Sequence, residues 1–263
     1  MPLAKERYGV LDDEVEIERR RLGILAEARD PRTRRILDST GLSQDWRCWE
    51  LGAGAGTVSA WLGRRVGPGG SVWSTDIDLQ FHRPVLPNVV VEHHDVTRDP
   101  VPESAFDLVH TRAVLQHLPE RDQVIEAMWD ALVPGGWLVV EDGAFASFAE
   151  QTLPEPYATV HRYASTGAIS EWRDANYGVR LPGRFRDLGA ADIEIIGNVW
   201  SMRPGEPDGD WWFLALERAI PRLVKAGLVT PEDGETALAQ VRAPGFVMMS
   251  SVSIAVIGRK PSN

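Results

Sequence analysis

The sequence predicts an α/β fold in which a mainly parallel sheet is covered by helices on both faces. Three observations predict it. Short apolar runs recur at 46–51 (WRCWEL), 71–77 (SVWSTDI), 89–93 (VVVEH), 106–110 (FDLVH) and 136–141 (GWLVVE). Helix-like sequence lies between them, the alternation that parallel strands require for their crossovers. Gly, Pro or Asp punctuates most run ends, where the chain has to turn.

The elements follow in order. Residues 12–38 predict a helix, capped by Asp12 or Asp13 with Glu16 placed to reach back. Val15, Leu22, Leu25 and Ala26 recur near helical spacing, and Pro31 is expected to break the run before a second short helix through Ile36 and Leu37. In 119–132, Ile125, Met128, Trp129 and Leu132 follow the i, i+3, i+4, i+7 pattern, with Pro119 in the first turn. Residues 143–180 carry aromatics, Pro and Gly without one period. Residues 184–202 predict a short helix, a glycine stop and a sixth strand. A turn at 205–209 precedes helical sequence over 210–241, interrupted at Pro221 and around 227–231. The stretch 246–258 (FVMMSSVSIAVIG) predicts one long final strand, with Met248 and Met249 as packing residues.

Composition excludes several function classes. The 263 residues are 43% hydrophobic and 25% charged, which is globular and not disordered. No apolar run reaches the ~18 residues of a membrane span. The first residues carry no signal-like apolar core, so a cytoplasmic protein is expected. The formal net charge of −10 repels phosphate backbones, so no nucleic-acid partner is expected. The single cysteine, Cys48, forms no internal disulfide and builds no Cys-cluster metal site. His93 and His94 stand next to Asp95, but adjacent strand residues point to opposite faces, so no metal site is expected there.

The strongest motif is Glu50-Leu51-Gly52-Ala53-Gly54-Ala55-Gly56, between the first strand and the next helix. Glycines let the backbone turn sharply and let a ligand approach, and the helix start offers free N–H groups. The spacing is G-x-G-x-G. A dinucleotide fingerprint would need a small residue where Thr57 stands, which disfavours a nicotinamide dehydrogenase. Asp76 ends the second strand, suited to accept from both hydroxyls of a ribose, and Ile77 follows it. Asp95 and Val96 end the third, suited to an adenine edge.

Together with FDLVHTRAVLQHLP at 106–119 and LVPGGWLVVED at 132–142, this set resembles the class I S-adenosylmethionine-dependent methyltransferase family. The resemblance is strong over about 46–142 and extends more weakly to 181–202 and 246–258. Within the family the chain looks like bacterial small-molecule enzymes of the quinone-biosynthesis and natural-product type. The resemblance implies a Rossmann-like, doubly wound, seven-stranded sheet with the last strand antiparallel. It implies S-adenosylmethionine as cofactor, its methionine part held by Glu50, Gly52, Ala53, Gly54 and Gly56. Asp76 would hold the ribose, and Ile77, Asp95 and Val96 would frame the adenine. His110, Thr111 and Arg112 would lie beside the sulfonium, with Gln116 reaching from the next helix. His117 is expected to pack or cap.

Methyl transfer from a sulfonium is an in-line displacement, so the protein mainly aligns the reactants and excludes water. A lid over the site is expected from residues 1–40 and from inserts at 143–180 and 204–243 of a methyltransferase domain spanning 41–263. These segments supply aromatics such as Tyr8, Tyr157, Trp172, Trp200, Trp211 and Trp212, and suit a small aromatic or polycyclic acceptor. A base is needed only where the acceptor carries a proton of high pKa; His161 is the first candidate, followed by Tyr163 and Glu171. Methylation of a protein or RNA, and a non-catalytic S-adenosylmethionine sensor, stay open as alternatives. The oligomeric state also stays open, with a homodimer one option.

Overall fold

The computed structural model describes residues 15–83, 86–168, 170 and 172–262. The caps Asp12 and Asp13, Tyr8 and the base candidate Glu171 lie outside them. A seven-stranded sheet forms the centre. Its strands are β1 (Arg47–Leu51), β2 (Ser71–Asp76), β3 (Val89–His93), β4 (Phe106–Arg112), β5 (Leu132–Ala144), β6 (Ala191–Asn198) and β9 (Val252–Arg259), in the order β3-β2-β1-β4-β5-β9-β6. The first five pair in parallel, and β9 inserts antiparallel between β5 and β6. A two-stranded ribbon, β7 (Ser201–Met202) with β8 (Met248–Met249), stands apart.

Helices cover both faces, which is why the central strands read as unbroken apolar runs. On one face α1 (Val15–Ser39) and α2 (Thr57–Val66) bury Ile36, Leu37, Val58, Leu62 and Val66 against Cys48, Leu108, Val139 and Ile257. On the other, α3 (Arg121–Asp130) and α6 (Leu181–Asp187) bury Ile125, Met128, Leu181 and Phe185 against Trp49, Val109, Val140 and Val256. A further core joins α4 (Ala146–Ala149), α5 (Tyr157–Thr166), α7 (Pro207–Lys225) and α8 (Pro231–Val241), with Phe148, Tyr157, Trp212, Leu216 and Met248 inside it and Ile17 and Ile24 of α1 against it.

Four local expectations are corrected. Pro31 lies inside one continuous helix. The guanidinium of Arg32 takes the Ala28 carbonyl (2.7 Å), and Arg112 bonds Asp30 and Thr33 on either side of the proline. Pro221 likewise lies within α7, whose buried face carries Ile220 and Leu223 beside it as well as Trp212 and Phe213 upstream. Leu132 opens β5 and does not close α3, and Pro119 precedes that helix. The expected strand 246–258 divides at Ser250 and Ser251: Met248 is buried against Tyr157, Met249 is exposed, and only Val252 onward joins the main sheet.

Candidate functional site

The glycine loop joins β1 to α2 at the carboxyl ends of the strands, where open α/β sheets bind ligands. Gly52 (φ 71°) and Gly56 (φ 69°) adopt the left-handed conformation that favours glycine. A Cβ at Gly52 would run into Val114, and one at Gly56 into the His82 imidazole. The Gly52 and Ala53 N–H groups donate to the Thr75 carbonyl (2.8 and 3.0 Å), which ties the loop to β2. Asp76 completes the tie: its Oδ2 accepts from Gly54 N–H (2.7 Å) and its Oδ1 from Asp78 N–H (2.9 Å). Burial pushes its carboxyl up, against the pull of those hydrogen bonds. Each oxygen keeps a further lone pair.

Beneath the loop, three neighbouring strands place Glu50, His110 and Glu141 side by side, all buried. The imidazole Nε2 donates to Glu141 Oε1 (3.1 Å), since an ionised carboxylate only accepts. Glu50 Oε1 lies 4.0 Å from His110 Nδ1, an atom with no hydrogen-bond partner. Burial raises both carboxyls, but at Glu141 the His110 hydrogen bond and the charges of His110 and Arg112 outweigh it and hold the group below its ordinary range. Burial wins at Glu50, despite His110 and a hydrogen bond from Ser59.

The remaining positions predicted from the sequence fall into two groups. Ile77, Asp95 and Val96 stand at the ends of β2 and β3. Asp95 Oδ1 accepts from Thr97 N–H and Oγ1 (3.0 and 2.6 Å) and its Oδ2 faces Arg98, so its carboxylate also shapes a turn. Beside it, His94 is buried edge-on to Trp49 and Trp73 and fills a core slot, while His93 is exposed. Among the described residues no group of His, Cys, Asp and Glu could hold a metal ion. Thr111 donates to the Leu51 carbonyl (2.9 Å), and Arg112 reaches α1 through Thr33 (2.8 Å) and Asp30 (3.1 Å). Gln116 is buried with Oε1 unpartnered.

Sequence reasoning missed Asp142, the last acid of the LVPGGWLVVED motif. It is buried near the end of β5, accepting from Gln116 N–H (2.9 Å) and Gly143 N–H (3.0 Å). Burial pushes its carboxyl up to about 7, against those hydrogen bonds and the charges of Arg173 and Arg121. The signal available was two consecutive acids closing an apolar strand. Nearby, burial and surrounding guanidiniums hold His117 neutral, down to about 3.

His161 is buried on α5, beside the core that α4, α5, α7 and α8 share. Its Nε2 meets the Phe148 carbonyl (2.6 Å), so that nitrogen carries the proton. Its Nδ1 faces the Tyr157 hydroxyl (3.4 Å), which also meets Trp212 Nε1 (2.9 Å) and Met248 Sδ (3.0 Å). Burial lowers its pKa to about 4. Tyr157 thus orients the imidazole, and both ring nitrogens are engaged by Tyr157 and Phe148. Tyr163 is half-buried on the same helix. The α1 helix bridges α7 and the glycine loop: Leu22 reaches Gly54, Glu18 pairs with Arg218 (3.0 Å), and Asp208 pairs with Arg29 and Arg32 (3.3 and 3.4 Å). A cavity of about 670 Å³ lies between α1, at Arg20, Gly23, Glu27 and Arg34, and the loop side at Thr57 and Arg83.

The fold and these strand ends define an open α/β protein with a ligand site at its glycine loop. Residues 49–140 match the family described as a methyltransferase domain. Methyltransferase str2 of Strobilurus tenacellus is 34% identical over 109 residues, 40% of this chain and 38% of its own length. The ubiquinone/menaquinone biosynthesis C-methyltransferase UbiE of Laribacter hongkongensis is 30% identical over 114 residues, 40% of this chain and 46% of its own. The chain thus spans less than half the length of these curated relatives. A methyltransferase structure from Bacillus halodurans shares the fold at TM-score 0.56 and 15% identity, covering 86% of this chain and 97% of that one. Residues 49–140 are thus similar to a methyltransferase domain, and the cofactor that this similarity implies is S-adenosylmethionine.

The donor set fits this cofactor. Asp76 has a lone pair free on each carboxylate oxygen for a ribose diol, the buried Glu50 carboxyl would ionise only beside a cation such as an ammonium or sulfonium, and the unpartnered Gln116 Oε1 calls for a donor.

Proposed function

We propose that the chain transfers the methyl group of S-adenosylmethionine to a small, aromatic or polycyclic metabolite by in-line displacement. The observation that carries the reading is the left-handed glycine loop fastened to Asp76 at the strand ends, with a separate aromatic core beside it. The similarity to a quinone-biosynthesis methyltransferase supports a small acceptor. The bound cofactor supplies an activated methyl. The protein's residues do the rest. Asp76 binds the ribose, and the Glu50 carboxylate balances the positive end. Ile77, Asp95 and Val96 flank the adenine. His110, Thr111, Arg112 and Gln116 border the sulfonium end.

The α1 helix and the segments 143–180 and 204–243 form the lid that orients the acceptor and excludes water. No described helix is long and apolar enough to cross a membrane. Where the acceptor must lose a proton, Asp142 takes it. Its carboxyl, near 7, lies where a base is most useful at neutral pH, and it neighbours Gln116. His161 then organises the lid.

The test is calorimetry with S-adenosylhomocysteine, followed by mass spectrometry of transfer to phenols, indoles, quinones and amines. Binding with NAD and NADP failing to compete, and methylation within the panel, are expected. Folded protein that gives no heat with S-adenosylhomocysteine would sink the reading. Binding without turnover on any acceptor class would favour a sensor.

A further inference from the structure

The junction of α1, the β6–β7 loop and the start of α7 holds a group of polar atoms for which the methyl-transfer reading has no use. Arg29 lies with its guanidinium carbon 3.8 Å from the Trp200 ring centroid and 5.3 Å from that of Trp211. Arg32 stacks on the same Trp200 ring at 4.1 Å. Three donors here are buried and lack any hydrogen-bond partner, Arg29 Nε, Trp200 Nε1 and Trp211 Nε1, against one such acceptor, Asp208 Oδ1, which is ion-paired with Arg29. A buried donor without an acceptor costs ~1–3 kcal/mol, so three around one guanidinium need a reason.

The charges point the same way. Asp208 is the one carboxylate that ion-pairs with Arg29 and Arg32, so the two guanidiniums share a single paired acid. Arg112, the next cation, is already taken by Asp30 and lies beside Glu141. Burial, together with Arg32 and Arg112, lowers the Arg29 pKa to about 9 against the pull of Asp208 and Glu141. Arg29 still carries its charge at neutral pH, in a place where a second anion would stabilise it. The junction also adjoins the methyl-transfer end, because Asp30, the residue after Arg29, is bonded to Arg112 at the end of β4.

We propose that this junction is a specificity subsite for the methyl acceptor, taking an oxyanion group of the substrate on Arg29 Nε and the Trp200 and Trp211 indole N–H groups. A guanidinium edge with flanking N–H donors matches the acceptor oxygens of a carboxylate or a phosphate. The inference rests on the methyltransferase reading and narrows its acceptor to anionic aromatics.

The experiment is calorimetry on the full chain, with and without S-adenosylhomocysteine. The probes are 4-hydroxybenzoate, 4-hydroxyphenyl phosphate and the neutral 4-hydroxybenzamide, with indole-3-acetate and its amide as a second series. At least one anion should bind about tenfold or more tighter than its amide. Which anion wins identifies the oxyanion. Arg29→Gln should reduce the preference below about threefold. Trp200→Phe keeps a ring under the guanidiniums and removes only the N–H, so it should weaken the anion and spare the amide. Affinity for S-adenosylhomocysteine should stay within about twofold in both variants. Equal affinity for anion and amide, absence of anion binding, or a preference that survives both substitutions overturns the subsite. Failure of S-adenosylhomocysteine itself to bind overturns the methyltransferase reading separately, because the anion preference is also read in its absence.

Discussion

Replacing Asp142 with Asn separates a buried proton acceptor from a merely structural acid. In the folded chain the carboxyl is pushed from its ordinary value of 3.8 up to about 7. A folded-state pKa above the unfolded one means that the folded chain holds the proton more tightly. Stability from this group is therefore complete below pH ~4 and is lost as pH rises toward 7. At ~1.4 kcal/mol per unit, the loss is about 4 kcal/mol across that window. Asn does not titrate. It keeps one acceptor for the two N–H groups of Gln116 and Gly143 and sets a donor against the other, at a cost of about 1–2 kcal/mol. The variant should thus be less stable than wild type at pH 4, cross it near pH ~5, and be more stable by about 2–3 kcal/mol at pH 8. Urea unfolding of both proteins between pH 4 and pH 8 reads the difference. On an acceptor with a proton to lose, wild-type turnover should rise through pH ~7 while Asp142→Asn falls about a hundredfold and loses that dependence. A constant stability difference across the pH range would refute the burial argument. Unchanged turnover would remove Asp142 from the proton transfer.

Three further outcomes are expected. Asp76→Ala should weaken S-adenosylhomocysteine by about tenfold to 150-fold in calorimetry, through loss of charge-assisted hydrogen bonds and of the Gly54 anchor; a change under twofold would make it a turn residue only. Gly52→Ala should lower Tm and abolish cofactor binding, because its φ of 71° and the Val114 side chain both oppose a Cβ; Val114→Ala should restore part of each, and no recovery would locate the defect elsewhere. The folded-state pKa of His161 is lowered to about 4, so its stabilising effect is present above pH ~6.5 and is lost as pH falls toward 4. His161→Gln should flatten that acid limb in thermal unfolding while turnover at pH 7 stays within about threefold, whereas a hundredfold loss would return the base to the lid.

The sheet and the glycine loop could be read from the sequence because local rules govern them. Strands covered on both faces give unbroken apolar runs, and a left-handed turn tolerates few residues besides glycine. Asp76 is equally local: it ends β2 and closes on a loop that β2 itself positions. The prolines show where local rules stop. Pro31 and Pro221 each remove a helix hydrogen bond, yet both helices run through, because buried residues and distant ion pairs hold them on either side. Helix propensity is a weak prior against such packing.

The same division runs through the site. Arg112 occupies the predicted strand end, but its guanidinium bonds Asp30 and Thr33, a pairing across most of the domain's first half that no spacing announces. His161 has the predicted Tyr157 beside it, one helical turn away, yet the Phe148 carbonyl that occupies its other nitrogen comes from a different helix end. Asp142 and Arg29 were passed over for a related reason. An acid at a strand end and an arginine on a charged helix are ordinary in sequence. What distinguishes them is burial beside partners supplied by other segments: Gln116 for the one, Trp200 and Asp208 for the other. On the proposed function, cofactor recognition would rest on short-range backbone geometry and acceptor recognition on contacts that exist only after α1, the β6–β7 loop and α7 have met, so changes in those segments should alter the acceptor while leaving the cofactor loop intact.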